Sequence, residues 1–132
     1  MRIAQSLIDE MVAHALEDLP NECCGMVGGG DGAASAVIPV ANAAASPLRF
    51  EMDPQGQYNA LKQIEEEGGE LLAIYHSHTK SAAEPSQTDI NLAGNWPDPL
   101  YLICSLADPD APQVRAFAIR DGTVEEVGLN VE

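Results

Sequence analysis

Two of the three histidines in the chain stand one residue apart in the stretch HSHTKSAAEPSQTD, which runs from His76 to Asp89. They close the apolar run ELLAIYH, whose length and flanking turn residues predict a buried strand rather than a helix. Side chains along a strand alternate between faces, so His76 and His78 point the same way, with Cα atoms about 6.6 Å apart, and Ser77 points opposite. Two imidazoles so placed can converge on one ion. Zinc takes nitrogen ligands at about 2.0–2.1 Å, and a catalytic zinc keeps three protein ligands and leaves its fourth position to water. Asp89, brought back by the helix expected after the loop, is the natural third ligand. The chemistry open to such a centre is hydrolysis by an activated water.

Each of these residues also has a plainer reading. Paired histidines at a strand end are commonly solvent-facing or hydrogen-bonded. Ser86-Gln87-Thr88-Asp89 fits a capping box, in which Ser86 caps a helix and Asp89 reaches back to the N–H of the cap residue. The two roles compete for Asp89, because a carboxylate on a metal is poorly placed to serve that N–H as well. Ser86 caps in either case. His14 reads as an exposed helix residue, and Cys23, Cys24 and Cys104 as small buried hydrophobes without zinc-finger spacing. Other hydrolytic layouts are absent: the chain has no H-E-x-x-H, no G-x-S-x-G and no P-C-x-x-C, and GGGDG lacks the Lys-Ser/Thr of a phosphate loop and reads as a turn.

The elements that must carry these residues follow from periodicity. Ile8, Met11, Val12, Ala15, Leu16 and Leu19 recur at three and four residues, one apolar face of a helix that Pro20 stops. CCGMVG reads as a short buried strand and GGGDG as the turn into SAVIPVA. SPLRFEM reads as a further strand. Asp53 and Pro54 are an N-cap and first-turn pair for a helix through Tyr58, Leu61 and Ile64, ended by Gly68-Gly69. After ELLAIYH, a helix starting at Ser86 or a neighbour runs through Ile90 and Leu92 to the region of GNWPDP. PLYLICSL is another buried strand, and VRAFAIRDGTVEEV is a hairpin whose Asp121-Gly122 suits a tight primed turn. Mixed order and a terminal hairpin predict an α/β or α+β layered domain with one mixed sheet, not a doubly wound parallel one.

Composition narrows the function classes. A chain of 132 residues suits one domain spanning residues 1–132. Six basic against twenty-one acidic residues leave a formal charge of −15, a surface that repels phosphate backbones and sets aside nucleic acid and anionic membrane as partners. The stretch MRIAQSLIDEMVAHALEDLP mixes acids among its apolar residues, unlike a signal peptide or a spanning helix. Three cysteines, two of them adjacent, make no disulfide framework. A cytoplasmic location is expected.

H-S-H, seven residues, Ser, two residues and Asp, preceded far upstream by a Glu after the first helix, resembles the signature of the JAMM (MPN-plus) metalloproteases. The matching positions are Glu22, His76, Ser77, His78, Ser86 and Asp89, with Pro85 before the serine. The likeness extends over nearly the whole chain, through P-N-E-C-C-G, I-Y-H-S-H-T, P-S-x-x-D and L-I-C-S, and it is nearest to the short bacterial Mec-type peptidases that act on the CysO sulfur carrier. It implies a mixed sheet flanked by helices, related to the fold of cytidine deaminases. It also implies roles: His76, His78 and Asp89 hold Zn2+, Glu22 moves the proton from water to the leaving amine, and Ser86 donates a hydrogen bond to the oxyanion. Ser77, pointing away, holds the scaffold or orients a group behind the ligands.

The implied activity is hydrolysis of the peptide or isopeptide bond after the C-terminal glycine of a ubiquitin-like or sulfur-carrier protein with a Gly-Gly tail. Release of cysteine from a CysO-like adduct is the first reading. General deconjugation of a ubiquitin-like modifier from lysine is the second, and a non-catalytic MPN binding module the third. A carrier tail lying as an added strand beside the sheet would hold glycines by main-chain hydrogen bonds.

Overall fold

The computed structural model describes residues 1–132. Its elements are β1 (Arg2–Ile3), α1 (Gln5–Glu17), β2 (Cys24–Gly30), β3 (Ala33–Val40), α2 (Pro54–Glu66), β4 (Glu70–His78), α3 (Gln87–Leu92), a 3₁₀ turn at Ala93–Asn95, β5 (Leu100–Ser105), β6 (Gln113–Arg120), β7 (Thr123–Val127) and β8 (Asn130–Val131). All eight strands form one sheet in the order β7-β6-β5-β4-β2-β3-β1-β8. The sheet is mixed, with β4 parallel to β5 and β1 parallel to both β3 and β8, while β2–β3, β2–β4, β5–β6 and β6–β7 are antiparallel. Strands β7 and β8 end this order at opposite edges, yet only Gly128 and Leu129 join them. The sheet must therefore curl until its two edges approach each other, as accumulated strand twist allows.

Helices cover both faces. On one, Ile8, Met11 and Ala15 of α1 meet Val27, Tyr75, Leu102 and Cys104; on the other, Ala60 and Ile64 of α2, together with Phe50, Met52 and Ala93, meet Cys24, Met26, Ile74, Ile103 and Phe117. Burial of an aliphatic side chain such as Ile64 or Ile74 contributes about 1.5–3 kcal/mol. β4 alternates between the two clusters, and His76 and His78 continue the Ile74 face. No helix is long and apolar enough to cross a membrane.

Local chemistry sets the boundaries. The Asp53 carboxylate accepts the Gly56 N–H at 2.8 Å and caps α2. Asp121 and Gly122 both take positive φ (52° and 77°) between β6 and β7, the primed hairpin turn expected there. The turn between β2 and β3 is confined to Asp31 and Gly32, with φ of 54° and 73°. Gly28 to Gly30 lie in β2 instead of in the turn, paired with Ala36, Ala34 and Ala33 of β3, and Gly28 lacks a side chain where a methyl group would come within 2.7 Å of Ile64 Cγ1.

Several expectations need correction. SPLRFEM is not a strand; only Met52 makes an isolated bridge, to Asn42. The Asn42 carboxamide occupies the backbone groups a ladder would need, accepting the N–H groups of Ala44 (3.0 Å) and Glu51 (2.9 Å) and donating to the Arg49 carbonyl (3.1 Å). Leu16 and Leu19 are exposed, since α1 stops at Glu17 and leaves them at and beyond its rim. Tyr58 is exposed, and α2 turns Ala60 and Ile64 inward in its place. His14 is not an exposed residue: its Nδ1 lies 2.8 Å from the hydroxyl of buried Tyr75, and the side chain is 13% exposed.

Candidate metal centre and catalytic cleft

The end of β4 carries the histidines, and the loop that follows returns the chain to α3. That loop is fixed along its length. Ser105 Oγ donates to the Ser81 carbonyl, Thr79 Oγ1 to the Pro47 carbonyl, Arg115 reaches Glu84 at 3.4 Å, and Ala83 is fully buried. The return places Asp89 against the imidazoles. His76 Nε2 and His78 Nε2 lie 3.2 Å apart, and Asp89 Oδ2 is 3.1 Å from the first and 3.0 Å from the second. All three residues are buried, and their ligand atoms could hold one metal ion.

The triangle has the size of a coordination face. Three ligands at about 2.0–2.1 Å around a tetrahedral ion lie about 3.3–3.4 Å from one another. Proton inventory points the same way. His78 Nδ1 is 2.8 Å from the Ala82 carbonyl, which only accepts, so a neutral His78 carries its proton there and presents a bare lone pair at Nε2. That lone pair faces a carboxylate oxygen and a second imidazole nitrogen. This lone pair and the Asp89 carboxylate oxygen do not sit 3.0 Å apart unless a cation or a proton lies between them, and His76, whose Nδ1 has no partner, can offer its Nε2 to a metal or carry its proton there. The residues fit a divalent metal.

The electrostatics agree. For Asp89 burial alone would raise the carboxyl pKa, but hydrogen bonding to His76 and His78 outweighs it and holds the group well below the usual range. Burial lowers the pKa of His76. For His78 burial pulls down, and the Asp89 carboxylate with the Ala82 carbonyl outweigh it and raise the group.

Capping box and triangle coexist. Asp89 Oδ2 also accepts the Ser86 N–H at 2.9 Å, and Ser86 Oγ accepts the Asp89 N–H at 3.1 Å. The cap and the histidines share one carboxylate oxygen, and of its two lone pairs one can serve the Ser86 N–H while the other faces the imidazoles or an ion between them. Ser86 Oγ accepts in this box, so its own proton is free.

Glu22, His78 and Ser86 line one cleft of about 350 Å³, along with Pro47, Leu48, Thr79, Lys80 and Ser81. Glu22 is 4% exposed, and its Oε1 has no hydrogen-bond partner. Burial pushes its carboxyl up to about 7; attraction to His78 opposes this and repulsion from Asp89 adds to it. The backbone of Glu22 is held from both sides, its N–H donating to the Ser46 carbonyl at 2.9 Å and its carbonyl accepting from Asn42 Nδ2 at 3.0 Å. Ser77 holds the scaffold as expected: fully buried, its Oγ accepts the Cys23 N–H at 2.8 Å. Cys23, Cys24 and Cys104 are free and buried, and burial raises all three thiols.

All five expected site residues thus meet in one place. Two supports were not expected. Asn42 follows the strand SAVIPVA as an isolated amide in an alanine-rich loop, a turn signal but not a site signal. Phe50 stacks on His76, with ring centroids 4.4 Å apart and planes at 24°, and no local pattern marks it.

Comparison with known proteins supports the resemblance. Residues 4–120 match the family described as prokaryotic homologs of the JAB domain. The CysO-cysteine peptidase of Mycobacterium tuberculosis is 38% identical over 131 residues, which cover 98% of this chain and 89% of that protein. A Thermus thermophilus protein named "Probable TtuB-protein conjugate cleaving protease" is 40% identical over 130 residues, covering 98% and 81%. The solution structure of a Desulfitobacterium hafniense protein superposes with a TM-score of 0.91 at 38% identity, over 99% of this chain and 92% of that one. The chain belongs to the JAMM (MPN-plus) metalloprotease family, among its prokaryotic JAB-domain members.

Proposed function

We propose that the protein is a zinc-dependent metallopeptidase that hydrolyses the bond after the C-terminal glycine of a ubiquitin-like or sulfur-carrier protein, releasing cysteine from a CysO-like adduct. The observation that carries this reading is the convergence of His76 Nε2, His78 Nε2 and Asp89 Oδ2 within 3.0–3.2 Å of one another, next to a cleft lined by His78, Ser86 and the buried Glu22. These three would hold the ion, which when bound lowers the pKa of a water to about 7 and polarises a carbonyl. Glu22, with its affinity for protons raised by burial, takes the proton of the attacking water and returns it to the leaving amine. Ser86 uses its free hydroxyl proton to hydrogen-bond the oxygen on which charge develops.

The carrier is recognised by its tail. Glycines let the backbone approach the cleft closely, and Pro47 with the 84% exposed Leu48 offers an apolar rim. β4 itself is paired to β2 and β5 on its two sides and leaves no free edge for an added strand. The likeness to the mycobacterial peptidase supports cysteine as the released amine. The likeness to the Thermus protein, named for conjugate cleavage, supports a second reading in which a lysine isopeptide is cut. A cytoplasmic location accords with both. A non-catalytic binding module has no need of the assembled acceptors.

Carrier peptides ending in Gly-Gly-Cys and in Gly-Gly-Lys isopeptide linkage, offered to the zinc-loaded protein, test the proposal. Chelator-sensitive cleavage of the first in preference to the second is expected. Preference for the isopeptide selects the second reading, and cleavage of neither overturns both.

A further inference from the structure

The two histidines are supported by different means. His78 has its ring fixed by Nδ1 against the Ala82 carbonyl at 2.8 Å, the usual way in which a ligating imidazole is oriented. His76 has no such bond: it is fully buried, and its Nδ1 has no partner. What packs on its face is Phe50, stacked at 4.4 Å and 24°, while the His78 ring meets it edge-on at 5.0 Å. Phe50 in turn is held by Asn42, whose amide donates to the Arg49 carbonyl and accepts the Glu51 N–H. One carboxamide thus clamps the peptide groups on both sides of Phe50. The same Nδ2 donates to the Glu22 carbonyl at 3.0 Å.

We propose that Phe50 is a positioning residue for His76: its ring, clamped by Asn42, sets the imidazole plane in place of the missing hydrogen bond, and Asn42 keeps that plane in register with Glu22. The imidazole is held at Nε2 by Asp89, 3.1 Å away, and with no acceptor for its second nitrogen it can pivot about that single contact, so packing against its face is what resists the tilt of the ring plane. Phe50 is 6% exposed, so its ring is itself packed on the core cluster. Beyond it lies a cavity of about 210 Å³ that it lines with apolar Met52, Ile74 and Trp96 and polar Gln57 and Asn95, which leaves room for a slightly larger ring. This rests on the reading of His76 as a metal ligand.

The test compares Phe50→Leu, which keeps apolar burial and removes the stack, with Phe50→Tyr, which keeps the ring. Zinc affinity is measured by chelator competition, and the imidazole ring signals of the metal-free full chain by NMR. We expect Phe50→Leu to weaken zinc binding by about 10-fold or more while Phe50→Tyr stays within about 3-fold of the parent. The ¹⁵N signals of the His76 ring, which report its tautomer and hydrogen bonding and scarcely sense the ring current of the lost phenyl, should move in Phe50→Leu, and those of His78, anchored by its hydrogen bond, should not. If Phe50→Leu does not fold, Phe50→Met is read in the same way. Parent-like zinc affinity and an unmoved His76 signal in a folded Leu or Met variant would overturn the proposal. If the parent protein bound no zinc, the hydrolase reading would fail, and the His76 signals would still decide this one.

Discussion

The hydroxyl of Ser77 accepts the backbone N–H of Cys23 at 2.8 Å and so fastens the strand that bears both histidines to the residue after Glu22. The bond is buried. It sets the distance between the candidate base and the candidate metal from the opposite face of the sheet. Ser77→Ala leaves the Cys23 N–H without a partner, which costs about 1–3 kcal/mol. We expect a lower midpoint in urea, turnover reduced several-fold and zinc content unchanged. An equally stable variant with full turnover would show that the backbone alone holds Glu22 in place.

Glu22 and Asp89 separate the two halves of the site. Glu22→Gln keeps the shape of the cleft and removes the proton carrier, so zinc should remain stoichiometric while hydrolysis falls by about 10²-fold or more. Asp89→Ala removes one vertex of the triangle and should lose both metal and turnover. Metal analysis alongside a peptide assay distinguishes the two variants, and normal turnover in Glu22→Gln would contradict the proton shuttle.

The same Gln variant has a stability signature in metal-free protein. Burial raises the Glu22 carboxyl from 4.5 to about 7 in the folded chain, so the fold favours the protonated form. Its contribution is fully present below the unfolded value and is lost as pH rises through about 7. Glu22→Gln, neutral at every pH, escapes that loss. With chelator present the parent and the variant should melt together near pH 4, and the variant should be more stable by about 2 kcal/mol well above pH 7, allowing for solvent screening at the cleft. Parallel melting curves across this range would mean that the carboxylate is solvated.

Asn42 concentrates four hydrogen bonds in one side chain, two given and two accepted. Asn42→Ala releases the loop before α2 and the Glu22 carbonyl together. A stability loss of about 2–3 kcal/mol is expected, with a larger fall in kcat than any change in KM. Asn42→Asp should restore the two accepted bonds but not the two donated ones, and so recover stability further than turnover.

What was legible in the chain was whatever obeys a local period or a fixed spacing. His76, His78 and Asp89 are placed by strand alternation and by one short loop, and the capping box at Ser86 is a four-residue pattern. The hairpin at Asp121-Gly122 needs only two residues. Arg2–Ile3 and Asn130–Val131 are too short to carry a period, so β1 and β8 escape, and with them the curl of the sheet. SPLRFEM carries the alternation of a strand, but a distant amide takes its backbone partners. Phe50 and His14 earn their roles from the faces they meet, His76 and Tyr75, and those encounters are made by the fold.

The oxygen at which the two imidazoles meet is also the one that fastens the first turn of α3. The bond that caps that turn therefore also aims the carboxylate oxygen at the imidazoles, so loosening the turn would loosen the pocket. Because Ser86 belongs to the same box, the hydroxyl that faces the cleft is held by the turn that holds the pocket.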